Sequence, residues 1–380
     1  MLLISLAIIL FPLAFLDKFV KKFNKKAIIL IFSILFVFLG GFRWLTGTDW
    51  YAYYYGFIIA DNYFTATQDK YSYEWGFGML NYIINITSGS YTVFLVIFTF
   101  LKVFIRYRVF IDKNFIQYSL LIFFLFYCYE GGAILGTRQM LAGGFIFLSI
   151  LSLINKKIWY FIILVVIATS IHRSAIIFIL AYPVYRYSSS RALLLYTFLA
   201  SSCVYFIFLN SNVTSLLSNL PIINNFDAYQ KKIEGYSEAG QTTYGQIDTQ
   251  TTMILGFLKK AFIVLPLILS FNMMKKQLNE QSFALYKGLI NLIVFGSAIY
   301  FVFGGIASDF KRLNGFFDPF EILIIPIFVY NIKNKKFIPF WIVYFAIIAF
   351  SKLYSSVLMF EDLIDPFYFI FDMPFYRKMY

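Results

Sequence analysis

Apolar stretches long enough to cross a lipid bilayer recur along the whole chain, and no other feature limits the fold so strongly. A membrane-spanning helix needs about 20 mostly apolar residues, or slightly fewer where flanking side chains reach the interface. We therefore predict an all-α integral membrane protein with about 12 transmembrane helices, which form a single polytopic domain over residues 1–380. The predicted spans are 1–16, 27–42, 90–106, 115–130, 138–154, 158–170, 174–187, 192–209, 253–274, 284–304, 316–331 and 337–352.

The composition excludes several classes of soluble protein. Of the residues 61% are apolar and 13% are charged, whereas a soluble domain has about 45–50% apolar and about 25% charged residues. A cytosolic enzyme, a nucleic-acid-binding module and a secreted disulfide scaffold are thereby excluded. Cys128 and Cys203 lie within apolar stretches and the chain has one histidine. We therefore expect no disulfide framework, no metal site and no cofactor.

The basic residues gather on alternate connections between the predicted spans. Six short connections hold 17 Lys and Arg residues and 3 acids, whereas the rest of the chain holds 15 basic and 16 acidic residues. Because Lys and Arg accumulate in cytoplasmic loops, we predict that these connections are cytoplasmic and that both termini lie outside. They are Asp17–Lys26, Arg106–Lys113, Asn155–Lys157, Arg186–Arg191, Lys275–Glu280 and Asn331–Lys336.

Residues 75–88 are apolar enough to resemble a thirteenth span. Counting them as one would place the later basic connections outside, so we predict a re-entrant or interfacial helix instead. This helix belongs to an outer segment of residues 43–89. A larger outer loop, residues 211–252, is expected to carry a short amphipathic helix on the periplasmic side.

Four arginines are predicted to lie at the outer ends of spans that are distant in the chain. Ionisable groups at membrane depth are costly and are usually functional or paired with one another. Arginine presents a planar fork of donors that suits phosphate, so the cluster indicates an anionic ligand such as a lipid diphosphate. Two structural alternatives stay open: the Arg43 side chain extends to the lipid–water interface, and Arg138 pairs with Glu130. The four are Arg43, Arg138, Arg173 and Arg312.

Three side chains on the same predicted side are candidates for a catalytic base, of which Asp49 ranks first, Glu74 second and His172 third. Asp49 follows a glycine-containing turn, and a carboxylate at the membrane surface can accept a proton from a hydroxyl group. Glu74 opens the helix predicted over residues 75–88, where the helix dipole also favours an acid for structural reasons. His172 is the sole histidine, and packing or capping is an equal alternative for it.

Aromatic rings on the outer segments are candidates for sugar binding, since they combine apolar faces with polar edges. An interfacial aromatic belt is the simpler explanation for rings alone. Lys259 and Lys260 lie within the ninth predicted span, and the sequence assigns them no role. The ring candidates are Trp50 and Tyr53 in the first outer segment and Tyr229, Tyr236 and Tyr244 in the larger loop.

Together these residues resemble a known family. From about residue 40 to 330 the chain is similar to the Wzy-type bacterial polysaccharide polymerases, in particular to the EpsG-like group of O-antigen and capsule polymerases. Arg173 departs from the family pattern, since a small polar residue is expected there. The segments that carry the resemblance are Arg43–Tyr53, Glu74–Phe77, Thr137–Ala142, Ile171–Ala175 and Lys311–Phe317.

The resemblance implies a metal-independent glycosyltransferase of the bacterial inner membrane with its active site facing the periplasm. Such a protein joins oligosaccharide repeat units that are carried on undecaprenyl diphosphate, for O-antigen, lipopolysaccharide or capsule synthesis. Membrane lipids, a flippase and a chain-length regulator are the implied partners, and nucleic acid is not. Two alternatives stay open: a flippase for lipid-linked oligosaccharide, and a membrane acyltransferase that modifies surface polysaccharide.

Overall fold

The computed structural model of the protein describes residues 2–47, 50–63, 66, 73–136, 138–210, 249–304, 311–358 and 368–369. Helices dominate these ranges, so the predicted all-α class is confirmed apart from one pair of two-residue strands. The predicted amphipathic helix of the 211–252 loop falls outside the described residues, as do Asp49, Tyr229, Tyr236 and Tyr244.

The chain divides into two compact units, of which the first comprises Met1–Tyr182 and Ile322–Tyr380 and the second Pro183–Glu321. The first half of the chain begins with α1 (Leu2–Leu10), α2 (Lys22–Gly41), β1 (Arg43–Trp44), α3 (Trp50–Ile58) and α4 (Trp75–Ser88). It continues with α5 (Tyr91–Phe110), α6 (Ser119–Glu130), α7 (Arg138–Ile154), α8 (Ile158–Ile171) and α9 (Ala181–Arg186). Short 3-10 helices occupy Phe11–Lys18, Ile116–Tyr118, Gly131–Ala133 and Arg173–Leu180.

The second half of the chain has the same helical character. Its helices are α10 (Arg191–Asn210), α11 (Thr249–Leu269), α12 (Phe271–Gln277), α13 (Glu280–Gly304), α14 (Lys311–Asn314), α15 (Glu321–Tyr330) and α16 (Ile338–Leu358). The 3-10 helices Asp318–Phe320 and Lys335–Phe337 precede α15 and α16, and the strand β2 is Tyr368–Phe369. A helix satisfies its own backbone hydrogen bonds, as a medium without water requires.

Three of the described helices are long and apolar enough to span a bilayer by length and composition. They are Lys22–Gly41, Glu280–Gly304 and the segment Lys335–Val357, and the bent pair of Ile254–Leu269 and Phe271–Gln277 makes a fourth if it counts as one span. Several predicted spans are broken instead: Pro12 follows α1, and residues 173–180 form a 3-10 helix. The total of 12 spans stays a prediction.

The helix predicted over residues 75–88 is present with those bounds. At a rise of about 1.5 Å per residue it is roughly 21 Å long, shorter than a hydrocarbon core of about 30 Å. Gly89 ends it in the left-handed conformation, with φ of 61°. The length agrees with a helix that does not cross the membrane, and its depth stays a prediction.

Helix α5 is central to the first unit, where it packs against α2 on one side and α7 on another. Glycines allow the first contact: a Cβ atom on Gly40 would lie 2.7 Å from Thr99 Cγ2 of α5. Helix α7 packs against α8, and α8 packs in turn against α4. This order brings the first residues of α4 and α7 and the last residues of α8 to the same region, where the site described below lies.

One predicted boundary in this unit is wrong. We expected Arg106 in a cytoplasmic connection, but α5 continues to Phe110 and Arg106 is buried within it. Its Nε lies 2.6 Å from Oε2 of Glu130, the last residue of α6. The helix extends because this carboxylate compensates the arginine charge, so hydropathy alone places its end too early.

A second buried ion pair fixes the other end of α6. Lys25 Nζ donates to Asp17 Oδ1 at 2.7 Å and to the Gln117 carbonyl oxygen at 2.6 Å. The Asp17 carboxylate also accepts the backbone N–H groups of Leu120 and Leu121 at 3.1 and 2.9 Å. Asp17 therefore supplies the N-terminal cap of α6 from a distant part of the chain, where a helix leaves N–H groups without partners.

The second unit is built around α13, which packs against α10, α11 and α14. Asn291 of α13 donates to the carbonyl oxygens of Val184 and Tyr187 at 3.0 and 2.9 Å, and accepts from Ser189 Oγ at 2.5 Å. These contacts hold α9 and the residues after it against α13.

Candidate functional site

Glu74 joins three parts of the first unit. It is the N-cap residue of α4, yet its side chain makes no capping hydrogen bond to that helix. Its Oε2 forms an ion pair with Nη1 of Arg138. Its Oε1 accepts the backbone N–H of Arg173 at 3.2 Å and lies 3.7 Å from Nδ1 of His172. The dipole of α4 alone therefore does not explain the position of the Glu74 carboxylate.

Arg138 is held in place from several directions. It is the first residue of α7, and its backbone N–H donates to the hydroxyl of Tyr53 at 2.9 Å. Its guanidinium lies over the ring of Tyr73 at 4.4 Å from the centroid, a cation–π arrangement. The alternative in which Arg138 pairs with Glu130 is wrong, because Glu74 is its partner and Arg106 takes Glu130.

A break in the chain after α8 places His172 and Arg173. Residue 171 ends the helix, His172 is extended with φ of −152° and ψ of 110°, and a 3-10 helix begins at Arg173. Gly76 lets α4 approach this break, since a Cβ atom there would lie only 2.3 Å from Ser170 Oγ. The glycine of the Glu74–Phe77 segment is thus required by the contact that brings Glu74 to His172.

Arg43 lies in β1, which pairs antiparallel with β2, so that Arg43 faces Phe369 in the register. The side chain is buried, with 2% of the residue exposed. Gly47 follows with φ of 109°, a value that favours glycine, and a Cβ atom there would lie 3.4 Å from Arg43 Nη1. Gly41, two residues before Arg43, packs closely on α5, since a Cβ atom there would lie 2.7 Å from Val96 Cγ2. The described contacts thus place Arg43 beside α5, which also packs against α7, the helix that Arg138 opens.

The two ring candidates that are described are both buried. Trp50 stacks on Tyr54 with centroids 5.0 Å apart and also contacts Trp44 and Tyr91. The hydroxyl of Tyr53 supports Arg138. The exposed rings of the same helix are Tyr51 and Tyr55.

Lys102 is not among the candidate residues that the sequence indicated. It lies in the middle of an apolar stretch, is 0% exposed, and donates to the carbonyl oxygen of Gly136 at 3.2 Å. A cation within a span is itself the signal that could have identified it, because such residues are usually functional or paired. Arg106 carried the same signal but was assigned to a loop.

Arg312 and the lysines of the ninth predicted span belong to the second unit. Arg312 lies on α14 and is exposed. Lys260 forms an ion pair with Asp318 and donates to Glu321 Oε1 at 3.2 Å. Two carboxylates therefore neutralise the buried Lys260 ammonium, which makes it a structural group of this unit.

The chemistry available at Glu74 is that of a carboxylate, an imidazole and a guanidinium in one cluster. Their side chains are 13%, 23% and 25% exposed, so a ligand can reach each of them. Among the described residues there is no group of three His, Cys, Asp or Glu side chains suited to a metal ion. The cluster can bind an anion and move a proton.

Comparison with known proteins agrees with the resemblance seen in the sequence. The model of the EpsG family matches residues 26–367, which is most of the chain. No curated protein and no solved structure shows significant similarity to it. The matched range contains all of the residues at the Glu74 cluster. The chain therefore belongs to the EpsG family, whose members have a polymerase-like, glycosyltransferase-type role in polysaccharide biosynthesis at the membrane.

Proposed function

We propose that the protein polymerises oligosaccharide repeat units linked to undecaprenyl diphosphate into O-antigen or capsular polysaccharide. The observation that carries the proposal is the Glu74 cluster, in which one carboxylate contacts Arg138, His172 and the backbone of Arg173. These groups come from three of the segments that resemble polysaccharide polymerases. An anion-binding cation next to a group that can accept a proton is what transfer from a diphosphate donor needs.

Arg138 binds the diphosphate of the donor in this mechanism, and the buried Arg43 adds to the positive charge of the region. The Arg138 side chain is a quarter exposed while paired with Glu74, so its fork of donors can meet a ligand without breaking that pair. Arg173 is a further proposed ligand, whereas Arg312, in the second unit, stays a prediction from the sequence. As the bond between the anomeric carbon and the diphosphate breaks, these cations stabilise the negative charge that develops on the leaving group.

His172 is the proposed base, and Glu74 orients it. Oε2 of Glu74 pairs with Arg138 and Oε1 accepts the Arg173 N–H, while His172 Nδ1 lies 3.7 Å from Oε1, within electrostatic range but too far for a hydrogen bond. The acceptor sugar hydroxyl attacks the anomeric carbon, its proton passes to the second ring nitrogen of His172, and the lipid diphosphate leaves. Asp49 is the second candidate for the base, and Glu74 itself is the third.

The remaining roles follow from the same reaction. The rings of Tyr229, Tyr236 and Tyr244 are proposed sugar contacts, and residues 211–252 guide the growing polymer. Trp50 and Tyr53 are buried, so we propose a packing role for them instead. The reaction takes place on the outer face of the bacterial inner membrane and needs no metal, because protein cations hold the diphosphate. A flippase would supply the lipid-linked unit and a chain-length regulator would limit the product.

The test is polymer synthesis by the purified full-length protein in vesicles that contain one lipid-linked repeat unit. The expected result is a ladder of longer lipid-linked products, abolished by Arg138→Gln and unchanged by Arg108→Gln, a matched change at an exposed arginine of α5. Movement of the lipid-linked unit across the vesicle membrane without any ladder would refute the polymerase and favour the flippase. Transfer of an acyl group would favour the acyltransferase.

A further inference from the structure

The turn between α6 and α7 has an unusual backbone. Gly131, Gly132 and Ala133 follow one another with φ of 57°, 61° and 60°. Alanine rarely adopts such values, and residues in this region persist only where the surrounding structure holds them. Ala133 and Ile134 are fully buried, so solvent does not stabilise the turn.

Two cations of α5 hold this turn at both ends. At its start, Arg106 Nε pairs with Glu130 Oε2 at 2.6 Å. At its end, Lys102 Nζ donates to the Gly136 carbonyl oxygen at 3.2 Å and Arg106 Nη2 donates to the Met140 carbonyl oxygen at 2.8 Å. One turn of α5 thus contacts residues on both sides of the strained segment.

The neighbouring glycines leave room for these cations. A Cβ atom on Gly144 would lie 2.7 Å from Arg106 Nη1, and one on Gly136 would lie 3.1 Å from Lys102 Nζ. The ring of Phe98 covers the Lys102 ammonium at 4.5 Å from its centroid. Burying a charge is costly unless it is paired or hydrogen-bonded, and the Gly136 carbonyl oxygen and the Phe98 ring compensate part of this cost.

Gly136 lies two residues before Arg138. The Lys102 contact therefore holds the turn two residues before the backbone N–H of Arg138, which donates to the Tyr53 hydroxyl. Phe98, which covers Lys102, also contacts the Tyr53 ring at 6.4 Å. The lysine thus supports both sides of the Arg138 backbone contact.

We propose that Lys102 is a positioning residue, which fixes the turn between α6 and α7 so that Arg138 is presented to the diphosphate. The inference rests on the proposed function, since it takes Arg138 as a diphosphate ligand. Lys102 does not touch the lipid itself, because none of its surface is exposed. Its effect on binding passes through Arg138.

A double-mutant cycle tests this route. The variants are Lys102→Met, Arg138→Gln and the double variant of the full-length protein in lipid nanodiscs, with farnesyl diphosphate as the binding probe. Lys102→Met is expected to weaken binding by roughly 10- to 100-fold, the cost of a small misplacement of a binding group. The double variant should bind within about twofold of Arg138→Gln alone, since a residue that acts through Arg138 has no further effect once Arg138 is gone.

Lys25→Met is the matched control, because Lys25 is also a buried lysine that donates to a carbonyl oxygen in the same unit. Any loss of binding caused by Lys25→Met should multiply with the loss caused by Arg138→Gln in the variant that carries both changes. If the losses of binding caused by Lys102→Met and Arg138→Gln multiply in the double variant, the inference is overturned. If Lys102→Met does not fold, Lys102→Arg takes its place in the double-mutant cycle, since it keeps the positive charge but changes the distance over which the side chain contacts Gly136. Unchanged binding by Arg138→Gln alone would instead refute the diphosphate role.

Discussion

Glu74 and Arg138 form an ion pair although 64 residues separate them in the chain. The pair joins the first residues of α4 and α7 and lies beside His172 at the end of α8. Breaking a buried or half-buried pair by removing one partner leaves a charge without compensation. Changes at these residues therefore test both chemistry and local structure, and the variants below are chosen to separate the two.

Arg138→Lys separates a planar fork from a point charge. If the guanidinium binds the diphosphate through two donors, lysine cannot replace it, and we expect polymer synthesis to fall by roughly tenfold or more. The ion pair with Glu74 survives in this variant, so the amount of folded protein should stay near that of the wild type. Polymer length and lipid-diphosphate binding are the measurements, and full-length polymer at normal protein level would refute the diphosphate role.

The base candidates are separated by three changes that keep shape and remove basicity. His172→Gln should lower the turnover rate by roughly 100-fold or more with little change in lipid binding, because proton transfer is lost. Glu74→Gln should lower both turnover and binding, since it releases His172 and Arg138 together. Turnover by purified protein and lipid binding are measured separately. If Asp49→Asn abolishes turnover while His172→Gln does not, the base is Asp49.

Much of the fold was predictable because lipid limits the local choices. A backbone in hydrocarbon must form its hydrogen bonds within the helix, so the length of each apolar stretch carries most of the information. The helix over 75–88 was placed to the residue for this reason. The end of α5 was not, because the charge of Arg106 is compensated by Glu130, a residue 24 positions further along the chain.

The site was predictable in its members but not in its pairing. Glu74, Arg138 and His172 attract attention as charges at the outer ends of apolar stretches. Which acid pairs with Arg138 depends on how α4, α7 and α8 pack, and the close contact of Gly76 with Ser170 is not visible as a pattern. Lys102 was missed because one cation does not change the mean hydropathy of a 20-residue helix.

The predicted topology places residues 81 and 248 outside and residues 22 and 334 inside. Single cysteines at these positions, in a protein without Cys128 and Cys203, should react accordingly with a reagent that does not cross the membrane. Asn81 is buried on α4, so its labelling requires brief denaturation in sealed vesicles, with Lys22 as the control for leakage. A cysteine at position 110 that reacts from outside would refute the model and make residues 75–88 a membrane span.

Gly76→Ala tests whether the approach of α4 to α8 builds the site. The new Cβ atom would lie 2.3 Å from Ser170 Oγ and 2.8 Å from Ser170 Cβ, so one of the two helices must shift. A shift of this kind moves Glu74 away from His172, and we expect polymer synthesis to fall by roughly 100-fold, because misplaced catalytic groups slow a reaction by this order.

Ser170→Gly removes both clashing atoms, although the carbonyl oxygen of residue 170 would still lie 2.9 Å from the new Cβ atom. The double variant should therefore recover part of the lost activity, whereas Ser170→Gly alone should stay close to the wild type. Activity per folded protein is the measurement, with folded protein quantified by size-exclusion chromatography. Equal activity of Gly76→Ala and the wild type would show that the contact between α4 and α8 does not set the position of Glu74.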